Sequence, residues 1–452
     1  MDFYSFIEQI NGVLVAYVLV FALVGIGLIF TIYLGLPQFR YFKEGLNASF
    51  GDLFKKGKNK NSGITALQAM MISISAQVGT GNIIGVATAI NLGGAGAIFW
   101  MWASAFLGMA TILAEGVLAQ RYKVWQNGHY IGGPAFYIKL GLKKKLGAKF
   151  CNFLAGFFAI AIIIALGCAG QMTQSNSISG SIHQAFGVDL KITGAITAII
   201  AGFVVIGGVK RIARFAELVV PFMAIFYVLV AVYILITFHE NIGNVFSMIF
   251  KQAFGLEAVA GGAVGIGIKE AIRYGVARGL FANEAGMGST PHAHASATTK
   301  NSVSQGFVAM LAVFIDTAFI CTATALIILL SGADLSLSGI ELTTSAFSIA
   351  FGSIGVKLLA ICLVFFAFTT IIGWYYFAQI NVQYLFSNKA LPIFKVVFVL
   401  CIFIGAMLKL DLVWSISDLC NTLMVLPNVL ALFLLAPIVK KELVKFNESK
   451  KK

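Results

Sequence analysis

The residues best suited to chemistry in this 452-residue chain are glycines and the polar groups beside them. Val78-Gly79-Thr80-Gly81-Asn82 interrupts an apolar stretch of helical length, and Gly261-Gly262-Ala263-Val264-Gly265-Ile266-Gly267 interrupts a second. Glycine weakens a helix because it has the most backbone freedom to lose. Within a bilayer, the backbone groups released by such a break need partners from protein, water, an ion or a substrate. The N–H ends of half-helices suit an anion such as a carboxylate, and the carbonyl ends suit a cation. Thr80, Gly81 and Asn82 are the expected anion-binding positions. Carbonyls near Ser75 and Val78 are the expected ligands of a hard cation such as sodium, and Gln77 and Asn82 add amide oxygens. Gly262 and Ala263 would form the opposing wall, with carbonyls that suit an ammonium group. One break alone reads equally well as a kink that permits close helix packing. Two breaks at matched positions favour a central binding site.

A second group of residues sits around these breaks. In the run Phe366 to Trp374, Thr369, Thr370, Gly373 and Trp374 share a helix face by their spacing. Two hydroxyls there suit sodium, with Phe366 counted among the ligands and Trp374 as a wall or cap. The alternative is threonines bonding back to their own helix. Gln171-Met172-Thr173-Gln174-Ser175-Asn176-Ser177 is polar for a membrane span and lines a pathway or joins helices. Asp316 is an intramembrane carboxylate, which makes it a functional candidate by default. Glu115 reads as interfacial, His292 and His294 as ordinary loop residues, and Lys269, Glu270 and Arg273 as an inner gate or a surface ion pair. The six cysteines are scattered singly, so neither metal nor disulfide chemistry is expected.

The elements that position these residues must be membrane helices. Hydrophobic residues make up 59% of the chain and charged residues 11%, and mean hydropathy is +0.91. A spanning helix needs about 20 apolar residues, and Val13 to Leu34 carries no charge at all. The runs do not alternate, which argues against a β-barrel. The N-terminal run lacks a basic flank and reads as a retained helix. The expectation is an all-α polytopic membrane protein of eleven helices, at approximately 11–36, 64–90, 95–124, 150–180, 192–209, 212–239, 250–285, 304–331, 356–385, 391–408 and 411–439. Ala282 to Thr299 is expected as an inner loop and Leu335 to Ile354 as an outer surface or re-entrant helix. This arrangement puts 28 of the 32 basic residues on one side, so the N-terminus should lie outside and the C-terminus in the cytoplasm. The net charge of +14 then sets orientation in the lipid bilayer and needs no nucleic-acid partner. The helices divide as an extra helix and basic loop (1–63), five helices (64–245), five more (246–440) and a short solvated tail (441–452). Because five is odd, the halves form an inverted repeat, and each opens on a broken helix.

Three motifs carry a resemblance. Ser75–Thr88 (SAQVGTGNIIGVAT), Gly93–Gly108 (GGAGAIFWMWASAFLG) and Val276–Pro291 (VARGLFANEAGMGSTP) resemble the sodium:alanine/glycine symporter family, and the likeness runs over nearly the whole length. Ala103 stands where a larger aliphatic residue is usual, and Gln171 where asparagine is common. The resemblance implies a LeuT-like fold and sodium-driven uptake of alanine or glycine across the cell membrane by alternating access. It implies carboxylate binding at Thr80 and Gly81. It also implies sodium coordination by the 75–78 carbonyls with Thr369 and Thr370, and Na+ as the coupling ion with no other cofactor. No GxxxxGK[ST] motif is present, nor a nucleophile–base constellation, so neither a pump nor an enzyme is expected. The alternative is a transporter of the same fold that couples to protons or carries another small amine or amino acid, with an ion channel behind it.

Overall fold

The computed structural model describes residues 3–14, 20–51, 63–126, 128–255, 263–299, 301–408 and 411–451. These are helical almost throughout, as long charge-free runs must be where water cannot satisfy the backbone. Among the described residues, seven helical stretches are long and apolar enough to cross a bilayer: Gly96–Arg121, Ala148–Phe186, Gly208–Thr237, Ser302–Ser331, Gly339–Phe386, Asn388–Gly405 and Val413–Lys451. An eighth is the pair Ala66–Gln77 and Gly81–Gly93, bent by 56° at its break. Val20–Tyr33 and Leu190–Ile206 are shorter apolar helices.

The first break forms at the expected residues. Thr65 caps the helix, accepting from the Gln68 N–H while the Gln68 side chain accepts from its own. The helix stops at Val78, which is extended (φ −81°, ψ 91°). Gly79 N–H then donates to Asn82 Oδ1 (2.9 Å) and Asn82 N–H to Gly79 O (3.1 Å). The chain re-enters as a π-helical turn, Gly81–Gly85, and continues as Val86–Gly93.

The second break lies elsewhere. Residues 256–262, which include Gly261 and Gly262, are outside the described residues. From Ala263 the chain is helical through Gly265 and Gly267 to Asn283. The interruption is Glu284 to Thr290, where Glu284 (φ 55°), Gly286 (φ 84°) and Gly288 (φ 87°) are all left-handed. The helix resumes as Pro291–Ser296. A right-handed glycine costs a helix about 1 kcal/mol and is tolerated, whereas three left-handed residues in five cannot continue one. The polar stretch expected as an inner loop is thus the buried interruption of a helix.

Other boundaries differ as well. Around the first expected span, the described helices are Phe3–Val13 and Val20–Tyr33. The expected helix 250–285 is two, because Ile242–Phe254 ends at the left-handed Gly255. An antiparallel hairpin pairs Val124–Gln126 with His129–Ile131. Gly339–Phe351 is helical where a surface or re-entrant helix was expected. The expected solvated tail belongs to one helix from Asp411 to Lys451, with its end exposed.

Packing sorts the long helices into two groups. In one, Ala66–Gly93, Ala263–Asn283 and Ser302–Phe314 pack around Gly96–Arg121. In the other, Ala148–Phe186, Leu190–Ile206, Gly355–Phe386 and Leu391–Gly405 pack on one another. Gly208–Thr237 touches both. Ile64, Arg121, Lys123, Ala297 and Glu442 gather at one end of the bundle. Asn91, Gly93, Gln252, Glu270 and Leu335 gather at the other. Lys269 and Arg273 therefore lie at the second end, and Arg278 lies on that side of the break. All three were expected on the basic side.

Candidate functional site

The two breaks meet around one cavity of about 310 Å³, lined by Gln77, Gly79, Thr80, Gly81, Thr173, Gln174, Glu284, Met287, Thr370 and Trp374, among others. Its lining continues through Ile84, Thr88, Arg278, Trp414 and Asp418 toward the sparsely basic end. It lies between the two helix groups. Gln174 Nε2, from the second group, donates to Thr80 Oγ1 (3.1 Å), while Gln77 Nε2 donates to Asn283 O (2.7 Å) and joins the breaks directly.

The sodium candidates partly converge. The Thr370 hydroxyl lies 3.2 Å from Val78 O and 3.0 Å from Phe366 O. A Cβ on Gly79 would stand 2.5 Å from that hydroxyl, and one on Gly373 would stand 2.8 Å from Ser75 Oγ. These two glycines let the helices approach closely enough to bring Ser75, Val78, Phe366 and Thr370 together. Thr369 is turned away. Its hydroxyl bonds back to Phe365 O and Phe366 O (3.0 Å each) and donates to Met223 Sδ (3.4 Å). Successive helical residues point about 100° apart, and here only the Thr370 hydroxyl is directed at the break, while that of Thr369 is directed at Met223.

Three expected binding residues are not at the cavity. Gln171 is buried and donates to Leu166 O (2.7 Å), within the π-helical segment Ile163–Ala169. Asn82 is consumed by structure: its Oδ1 holds Gly79 N–H and its Nδ2 donates to Asp316 Oδ1 (2.6 Å). Ala263 opens a helix whose cavity-lining residue Arg278 comes 15 positions later, roughly 22 Å along at 1.5 Å per residue. Gly262 lies outside the described residues.

Asp316 connects the breaks. Thr317 Oγ1 donates to its Oδ2 (3.1 Å), and Asn283 Nδ2 donates to Thr317 Oγ1 (3.4 Å). It sits in the π-helical turn Ile315–Cys321, a feature common at functional sites. Glu115, expected at the interface, is wholly buried. It accepts from Gly286 N–H (3.0 Å) and Asn428 Nδ2 (2.6 Å), and Asn428 also reaches Gly286 O (2.8 Å) and Tyr137. His292 and His294, expected in a loop, are buried in the short helix. His292 bonds Ser289 O (2.6 Å) and Asn381 (2.8 Å), and His294 bonds Gln305 (2.9 Å). Glu270 and Arg273 (3.6 Å) form a partly exposed pair at the sparsely basic end, a surface ion pair and not an inner gate.

Glu284 was missed. It lines the cavity, accepts from Trp374 Nε1 (2.7 Å) and Ser289, and is 3% exposed. A signal existed: an acid beside glycines at 286 and 288 within an otherwise helical run. At the basic end, Lys123 donates to Ala297 O (2.8 Å) and Gln120 Oε1 (2.7 Å) over the Tyr130 ring. Burial pushes its ammonium down to about 8.

The model of the sodium:alanine symporter family matches residues 1–452. The sodium/alanine symporter AgcS of Methanococcus maripaludis is 39% identical, covering 100% of this chain and 99% of its own. A Bacillus subtilis protein named "Probable sodium/glutamine symporter GlnT" is 39% identical, over 98% of this chain and 90% of its own. In structure, a manganese transporter of Eremococcus coleocola aligns with a TM-score of 0.53 at 14% identity, covering 81% of this chain and 77% of that one, a likeness of fold. With the family pattern running from end to end and paired broken helices around one polar cavity, this chain belongs to the sodium:alanine symporter family, as a multi-pass membrane transporter that couples amino-acid movement to a cation and is not an enzyme.

Proposed function

We propose that this protein carries alanine and glycine into the cell with sodium, by alternating access in a LeuT-like fold of eleven spans. In this reading the first span is extra, two five-helix halves form an inverted repeat, the N-terminus lies outside and the C-terminus is cytoplasmic. One observation carries it: both broken helices face the same cavity, and helices of both packing groups line it. The substrate carboxylate meets the half-helix N-terminus at Thr80 and Gly81. Sodium is held by the Val78 and Phe366 carbonyls and the Thr370 hydroxyl, beside Ser75. The cavity lining runs toward the end with few basic residues, so this conformation opens outward.

The cavity volume lies at the lower limit of small-molecule sites, roughly 300–1,000 Å³. Trp374, Met287 and Leu166 stand in its walls, and selection for a small side chain would rest on these three and not on the total volume. Uptake into proteoliposomes under an inward sodium gradient tests this, with alanine, glycine, leucine and glutamine compared. Alanine and glycine should be carried at least about tenfold more efficiently than leucine. Leucine uptake as fast as that of alanine contradicts the small-pocket reading.

A further inference from the structure

We propose that Glu284 is the residue that binds the substrate's ammonium group and makes the carrier select α-amino acids over their uncharged-nitrogen or hydroxy analogues. The inference rests on the amino-acid symport reading and deepens it.

The cavity has two lining carboxylates, Glu284 and Asp418, and one lining cation, Arg278. Arg278 and Asp418 both lie toward the mouth. Glu284 lies deep, between the second break and Trp374. Among the described residues no lysine, arginine or histidine bonds to it, and its partners are the Trp374 indole and the Ser289 hydroxyl. An ionised carboxylate buried without a counter-cation is costly, and intramembrane carboxylates mark the paths of cations and substrates. Each Glu284 oxygen has one donor and retains a lone pair. The backbone is also left-handed here (φ 55°), a conformation that glycine would adopt without strain. A glutamate kept in a glycine-like conformation points to a use for its carboxylate. Thr80 and Gly81, which line the same cavity, are the half-helix N-terminus proposed for the substrate carboxylate. A zwitterion placed between them meets a complementary charge at each end, and a simple carboxylic acid meets one match and one repulsion.

The test uses full-length protein in proteoliposomes with a sodium gradient. Alanine KM and Vmax are measured for the wild type, Glu284→Gln and Glu284→Asp. Lactate, which replaces the ammonium with a hydroxyl, is measured as a competitor in each. Glu284→Gln should raise the alanine KM about tenfold or more and reduce the preference for alanine over lactate by a similar factor. Glu284→Asp keeps the charge but withdraws it by one methylene. It should raise KM less and keep the preference, and it carries the test if the glutamine variant does not fold. A merely structural role for Glu284 would lower Vmax without moving the alanine-to-lactate ratio, and that result overturns the proposal. If the wild type carries no alanine, the alanine reading has failed. The same comparison is then made with whichever small amino acid is carried and its own hydroxy-acid counterpart, with the same two outcomes.

Discussion

Thr370 and Thr369 are neighbours with opposite expectations. Thr370 alone reaches across to Val78 O, so Thr370→Ala should raise the sodium concentration for half-maximal uptake about tenfold or more. Thr369→Ala should change it less than about threefold. Equal effects would mean that the threonine helix turns when sodium binds. Gly79→Ala makes a steric test of the same place. Its Cβ would press on the Thr370 hydroxyl at 2.5 Å, so sodium-dependent uptake should be lost even if the protein is well folded by size-exclusion chromatography. Lys123 offers a pH test. Its folded value, about 8, lies below the ordinary lysine value of 10.5, so the folded protein releases this proton first. Its contribution to stability therefore rises as pH climbs from about 8 toward 10.5. Melting in detergent across that range should show a rise that Lys123→Met removes, and an unchanged rise in the variant would contradict the assignment.

The two broken helices show what was legible in the sequence and what was not. The first break was readable at its residues, because two glycines with Thr80 and Asn82 between and beside them fall within five positions of an apolar run. The second was misplaced by about twenty residues. The glycines near 265 looked stronger because their surroundings are apolar, but glycine density does not reveal the sign of φ. The real break is rich in polar groups, Asn283, Glu284, Ser289 and Thr290, which seemed to belong outside the membrane. Their partners come from remote helices: Gln77, Glu115, Trp374 and Asn428. No local pattern announces pairings over such separations. The same holds for Gln174, which takes the cavity position expected of Gln171. The Asn82–Asp316 bond makes this scale testable. Asn82→Ala leaves the Gly79 N–H and a buried carboxylate without that partner, which should cost about 1–3 kcal/mol, read as a lowered melting temperature. Asp316→Asn keeps an acceptor for Asn82 and should cost less.

At the scale of the whole molecule, the two helix groups are joined at the basic end by bonds that cross between them. Ser296 bonds Tyr376, and His292 bonds Asn381 while its ring stacks on Phe158 and Phe377. These contacts close the cavity on that side. If one group rocks against the other, Tyr376→Phe should favour the alternative state by roughly 1 kcal/mol, about fivefold in population. A cysteine placed at the buried Ala297 nearby, which leaves the Ser296–Tyr376 bond in place, should then become more reactive from the basic side, and unchanged labelling would argue against rocking along this seam. The central claim is that this cavity couples sodium to small amino acids, and radiolabelled alanine uptake into proteoliposomes tests it most directly. An inward sodium gradient should drive accumulation that a matched potassium gradient does not, and Thr370→Ala should shrink the difference at sodium concentrations that saturate the wild type. Accumulation driven equally well by a proton gradient without sodium would contradict it.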